Sequence, residues 1–171
     1  MNKIDEIISK FNFDGTFKKY EENNQGNINK TYILIFEKND KQKKYLLQKI
    51  NANVFKEPYL VMKNIEHVTN HIKTKLLNDS EHKTLNIIKT LDGENLLTFI
   101  NKDGEKEYYR AFDYIENAIS YDSLNDAENP LKLAYETGKS FGFFQKSLND
   151  FPVSLLSETI KDFHNTKKRF N

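Results

Sequence analysis

Apolar residues recur at helical steps in two long stretches of the chain and alternate with polar ones in several short stretches between them. Residues 3–11 put Ile4, Ile7, Ile8 and Phe11 on one face of a short helix. Residues 13–22 and 30–37 read as strands flanking the polar segment Glu22 to Asn27, the second of them β-branched and aromatic. A turn at Lys38-Asn39-Asp40-Lys41 leads to a third strand over 45–50. Pro58 suits the first position of a helix, and Val61, Ile65, Val68, Ile72 and Leu76 then mark its buried stripe, predicting one helix over 58–77. Strands at 84–90, 95–100 and 106–115 follow, joined by turns at Asp92-Gly93 and Lys102-Asp103-Gly104. The order is helix, three strands, helix, then about three strands in tight hairpins. That order predicts an α+β fold: a mostly antiparallel sheet of about five or more strands with one long helix across it.

After Ser120 the pattern turns helical. Residues 127–148 place Leu131, Ala134, Tyr135, Gly138, Phe141, Gly142 and Leu148 on one stripe, whose two glycines would let a neighbouring element approach closely. Pro152 breaks this helix, Leu155 to Phe163 reads as a turn and short helix, and Asn165 is placed to cap a last one.

With 171 residues, 37% hydrophobic and 13% aromatic, the chain has the apolar bulk for one domain and the start of another. Its 26 basic and 25 acidic residues nearly cancel, which argues against a nucleic-acid binder. The absence of cysteine excludes disulfides and thiolate metal sites. His67 and His71 are spaced i, i+4, but no HExxH motif or third ligand accompanies them, so a solvated helix face is favoured over a metal pair and no metal ligand is assigned. No apolar run is long enough to cross a bilayer, and the N-terminus has no apolar core of a leader; the chain reads as cytoplasmic.

Two local features carry candidate chemistry. On the strand 45–50, Tyr45, Leu47 and Lys49 share a face just before a long helix, an arrangement that resembles the third-strand lysine of kinases. There the lysine reaches the α/β phosphates and the residue two positions earlier covers adenine; the alternative is a solvated strand-end lysine. The segment Gly26 to Tyr32 lies between the first two strands, where a kinase hairpin would hang over ATP phosphates. A glycine there admits anionic oxygens to backbone amides, although one glycine in a polar hairpin is by itself an ordinary turn.

Longer stretches carry a resemblance. GNINKTY, YLLQKINANVF, LVMKNIEHVTNHI, YYRAFDYIENA, GKSFGFFQKSL and ETIKDFHNTKKRF are similar to successive segments of the N-acetylhexosamine 1-kinases, a branch of the aminoglycoside phosphotransferase-like kinases related to choline and homoserine kinases. The resemblance covers roughly residues 13–171. It implies a protein-kinase-like fold, with a nucleotide-binding small lobe over 1–116 and, from 117 to 171, the hinge and first helices of a larger lobe. It implies ATP and Mg2+ as cofactors and an amino sugar phosphorylated at its anomeric hydroxyl. By the same resemblance Gly26, Asn27, Asn29, Thr31 and Lys49 bind phosphate, and a carboxylate of the 58–77 helix partners the lysine. Glu66 is the candidate for that carboxylate, with a solvated-face role as its alternative. Leu47 covers adenine, and the backbone of Tyr114, Ile115, Glu116, Asn117 and Ala118 forms the hinge that pairs with it.

The chain departs from the family in two ways. Asn27 and Lys30 stand where the family loop carries His and Asp, and since that His touches the sugar, Asn27 leaves the sugar open. The family's catalytic loop and metal-binding Asp are also missing from the sequence, so the catalytic residues and Mg2+ ligands are expected beyond Asn171 and the chain alone is expected to be inactive. The readings carried forward are the front part of a sugar kinase, a kinase of choline, homoserine or aminoglycosides, and a catalytically silent nucleotide-binding or interaction module. With its partner lobe missing, residues 127–171 are expected to support self-association.

Overall fold

A computed structural model describes residues 2–79 and 82–170; the outer ends of the two expected domain spans, residues 1 and 171, lie outside the described residues. Helix α1 (Lys3–Ile8) opens with a capping box, Asn2 accepting from the Asp5 amide at 2.9 Å while Asp5 accepts from that of Asn2. Strands β1 (Thr16–Asn23), β2 (Lys30–Lys38) and β3 (Lys41–Ile50) follow as an antiparallel meander. Asn39 and Asp40 both take positive φ, 51° and 60°, the backbone that a two-residue hairpin needs to match strand twist. Helix α2 (Pro58–Lys75) starts at its proline and ends with Lys73 and Lys75 beside its carbonyl terminus, where the helix dipole favours cations.

Three further strands complete one antiparallel sheet: β4 (Ile87–Ile88), β5 (Leu97–Ile100) and β6 (Lys106–Asp113). The spatial order is β1-β2-β3-β6-β4, with β5 also on β6. The α+β architecture expected of the pattern is thus present, as a six-stranded antiparallel sheet with one long helix. The expected strand at 84–90 is divided. Only Ile87 and Ile88 pair with β6, because Lys89 and Leu91 turn their backbone to Asn12 and Lys10 behind α1.

The sheet buries both faces, unequally. On the α1 side Ile7, Ile8 and Phe11 pack against Tyr32, Leu34, Phe36, Tyr45, Leu47, Tyr109 and Ala111, a closed aromatic-rich core. On the α2 side the cluster is smaller, Met62 and Leu96 around Ile50 with Phe55, Ile65, Ile87 and Tyr108 at its margin. Ile33 and Leu46, further along that face, are only half-buried. Beyond β6 come two short 3-10 turns, helix α3 (Pro130–Ser147) and helix α4 (Thr166–Phe170). Asn129 caps α3 and Asn165 caps α4, each accepting a backbone N–H at 3.0 Å. The glycines of α3 do not serve the close approach expected of them: a Cβ at Gly138 or Gly142 would meet nothing within 4 Å. Phe143 of α3 stacks instead on His82, in the segment after α2, and Asp150, just beyond α3, pairs with His71 and Lys75 of α2.

Candidate functional site

Strand register puts Asn23, Thr31, Gln48 and Arg110 side by side across β1, β2, β3 and β6. Because alternate residues share a face, this row lies on the α2 side, one step from Ile33, Leu46 and Phe112. Three of its members are joined. Gln48 Nε2 donates to Thr31 Oγ1 at 3.1 Å, and Arg110 Nε donates to Gln48 Oε1 at 3.0 Å. The Arg110 guanidinium lies over the Phe112 ring at 5.4 Å, and burial lowers its pKa to about 10. Among the described residues no carboxylate pairs with it.

The residues expected to meet adenine and phosphate on β3 face the other way. Leu47 is fully buried in the α1-side core. Lys49, on the same face, donates to Glu107 on β6 at 2.7 Å rather than to a carboxylate of α2. Glu66, on the opposite side of the sheet, forms no ion pair among the described residues. Inward and outward residues alternate along a strand, so neighbouring positions of β3 look to opposite faces of the sheet. Leu46 and Gln48, not Leu47 and Lys49, are the β3 residues that α2 overlooks.

Glu107 is the hub of the α1-side network. Lys3 and Lys49 both contact it, and Tyr109 Oη donates to it at 2.8 Å. Burial opposes its ionisation, yet these three donors outweigh burial and hold its carboxyl at about 2. The same site raises the Tyr109 phenol, through burial and through the Glu107 charge.

The loop residues meet this face at its edge. Asn29 Oδ1 accepts from the Asn51 amide at 3.0 Å, tying the β1–β2 loop to the end of β3, and Thr31 belongs to the polar row. Gly26 and Asn27 are exposed at the tip, and a Cβ on Gly26 would find only the Asn29 carbonyl at 3.9 Å, so packing does not demand glycine there. At the other end of the sheet the linker after β6 starts with the Tyr114 amide donating to Lys44, and Asn117 adopts a left-handed φ of 58°. Tyr114 to Asn117 line a broad open cleft with Ile65, Val68 and Phe143, while Ala118 is exposed. The structure therefore assembles Asn29 and Thr31 with Gln48 and Arg110 at one end of the α2 face, and Tyr114 to Asn117 at the other. Gln48, Arg110 and Glu107 were not singled out in the sequence. Period-two alternation along 106–113 separates Arg110 from Glu107, but only strand pairing puts Arg110 beside Gln48.

Among the described residues no group of three or more His, Asp or Glu is placed to hold a metal ion. His71 of the i, i+4 pair is spent on Asp150, and the buried His67 Nε2 has no hydrogen-bond partner among the described residues. No helix of the described residues is long and apolar enough to cross a membrane.

No protein-family model matches the sequence. Among solved structures, that of a microcompartment-associated aminopropanol kinase aligns with a TM-score of 0.48 at 15% identity, over 72% of this chain and 35% of that one. The chain spans about a third of that kinase's length.

Proposed function

We propose that this chain is the nucleotide-binding part of an ATP-dependent phosphotransferase, with 1–116 as its nucleotide lobe and 117–171 as hinge and first helices of a second lobe. The observation that carries the reading is the half-open α2 face. It runs from a polar loop and polar row at one end, past the apolar surface of Ile33 and Leu46, to the Tyr114–Ala118 linker at the other. A planar base needs apolar cover and an edge of backbone donors and acceptors, and its phosphates need N–H donors and positive charge. In this reading the base lies against Leu46 and Ile33 beside the Tyr114–Ala118 backbone, and the phosphates lie toward Asn29, Thr31 and the Gly26-Asn27 tip. The α1 face offers no such room, since its core is closed by Phe13, Phe36 and Tyr45 with ring centroids 4.8–5.2 Å apart.

The finer reading is transfer of the γ-phosphate to the anomeric hydroxyl of an N-acetylhexosamine, with Asn27 toward the sugar, Mg2+ held by residues outside this chain and the whole protein in the cytoplasm. Choline, homoserine and aminoglycosides are the alternative acceptors. Phosphoryl transfer requires an acceptor-orienting carboxylate and metal ligands. No His-x-Asp-x-x-x-x-Asn spacing occurs in the 171 residues. The chain alone should therefore bind nucleotide and turn over none of these acceptors. Calorimetric titration with ATP, ADP and adenosine tests the reading: saturable adenine-nucleotide binding supports it, and no heat with any of the three overturns it. An ADP-release assay with N-acetylglucosamine, N-acetylgalactosamine and choline tests the inactivity, which any turnover by the chain would refute.

A second reading, a silent interaction module, is favoured by the outward face of α3, where Leu131, Tyr135 and Phe141 are each about two-thirds or more exposed. Association without nucleotide binding would select it.

A further inference from the structure

We propose that Arg110, oriented by Gln48 and Thr31, is the cation that receives the phosphates of the bound nucleotide, in the role the sequence offered to Lys49. The inference rests on the nucleotide-binding reading of the α2 face and names the residue that confers its phosphate dependence.

The two cations differ in what already satisfies them. Lys49 is neutralised at 2.7 Å by Glu107, a carboxylate shared with Lys3 and buried on the α1 side. A phosphate there would have to displace an ion pair to a buried carboxylate. Arg110 has one of its five N–H groups committed, to the neutral Gln48 amide, and no counter-ion among the described residues. Partial burial makes a cation costly unless an anion or a set of acceptors compensates it. The Phe112 ring and one amide oxygen compensate only in part.

The chain Thr31–Gln48–Arg110 also fixes an orientation. Gln48 turns its oxygen to Arg110 and its amide nitrogen to Thr31, and Thr31 Oγ1 lies within 3.5 Å of the Asn29 carbonyl. With Nε held, the outer Nη edge of the guanidinium remains for a bidentate contact, a geometry that matches two phosphate oxygens. The row ends at Asn23, beneath the same loop whose tip is proposed to meet the phosphates. A purely structural arginine would be served as well by a carboxylate at position 48. The neutral glutamine leaves the positive charge unspent.

The test is calorimetric titration of the full chain with ATP, adenosine and inorganic tripolyphosphate, using wild type, Arg110→Gln, Gln48→Glu and Lys49→Gln. Arg110→Gln should weaken ATP and tripolyphosphate about tenfold or more, the scale of one charge-assisted contact, and leave adenosine unchanged. Gln48→Glu supplies an internal counter-ion, so it should give the same loss with a melting temperature at or above wild type, which separates lost binding from lost folding. Lys49→Gln should bind all three ligands as wild type does. Unchanged ATP affinity in both Arg110→Gln and Gln48→Glu would overturn the inference while leaving the nucleotide reading intact. Arg110-dependent capture of tripolyphosphate with no gain from adenine would retain the anion site and remove the nucleotide reading. Failure of wild type to bind either anion would end both.

Discussion

Lys49 and Glu107 meet at 2.7 Å on the side of the sheet that faces α1, with Lys3 of α1 closing on the same carboxylate. Their pairing joins β3 to β6 and anchors the start of α1 through one buried acid. Lys49→Met should therefore act on stability. Removing one donor from a buried carboxylate that keeps two others, Lys3 and Tyr109, should cost about 1–2 kcal/mol. Urea denaturation would read it as a lower midpoint with the slope unchanged. A variant as stable as wild type would show that the pair is only a surface contact.

The same carboxylate makes stability depend on acid. Glu107 is held at about 2, below the 4.5 of an ordinary glutamate. Between those values the unfolded chain binds the extra proton, so the stabilisation is complete above about pH 4.5 and is lost as pH falls through 2. Its size is on the order of 3 kcal/mol. Glu107→Gln removes the titration, so the gap in unfolding free energy between wild type and variant should narrow steadily from pH 5 to pH 2. A gap that stays constant over that range would remove Glu107 as the cause.

Two glycines should respond in opposite ways to the same change. Gly15 has φ +111°, and an added Cβ would stand 2.8 Å from the Glu37 carbonyl oxygen. Gly15→Ala should destabilise the hairpin end by about 1–3 kcal/mol, through strain and a backbone clash. Gly26 has no such constraint, so Gly26→Ala should melt like wild type and lose affinity only for phosphate-bearing ligands. Thermal melts with and without ATP check both; a stable Gly15→Ala variant would remove the clash argument.

The outward face of α3 should mediate self-association. Leu131, Tyr135, Phe141 and Phe144 are 84%, 68%, 67% and 47% exposed, and Phe170 on α4 is 92% exposed. Burying such side chains is worth about 1.5–3 kcal/mol each. Light scattering should show mass rising with concentration, and Leu131→Glu with Phe141→Glu should return the chain to a monomer. A monomer at every concentration in wild type would exclude this surface.

How far the sequence reaches is visible in particular elements. The stripe Val61, Ile65, Val68, Ile72 with Pro58 in front of it determined α2, because helix periodicity and a proline at its first turn are local properties. The Asn39-Asp40 turn, the capping Asn165 and the antiparallel hairpins were equally local. Alternation also showed that Leu47 and Lys49 share a face, but alternation carries no sign. Which face of β3 lies under α2 depends on how two distant helices divide the sheet between them, and that is settled by α1 filling the Leu47 side with Ile7, Ile8 and Phe11. Only the tertiary structure could pair Lys49 with Glu107, 58 residues away, or set Arg110 beside Gln48 and Thr31. Such contacts come from strand register, which is fixed by packing on both faces at once and not by any short run of residues.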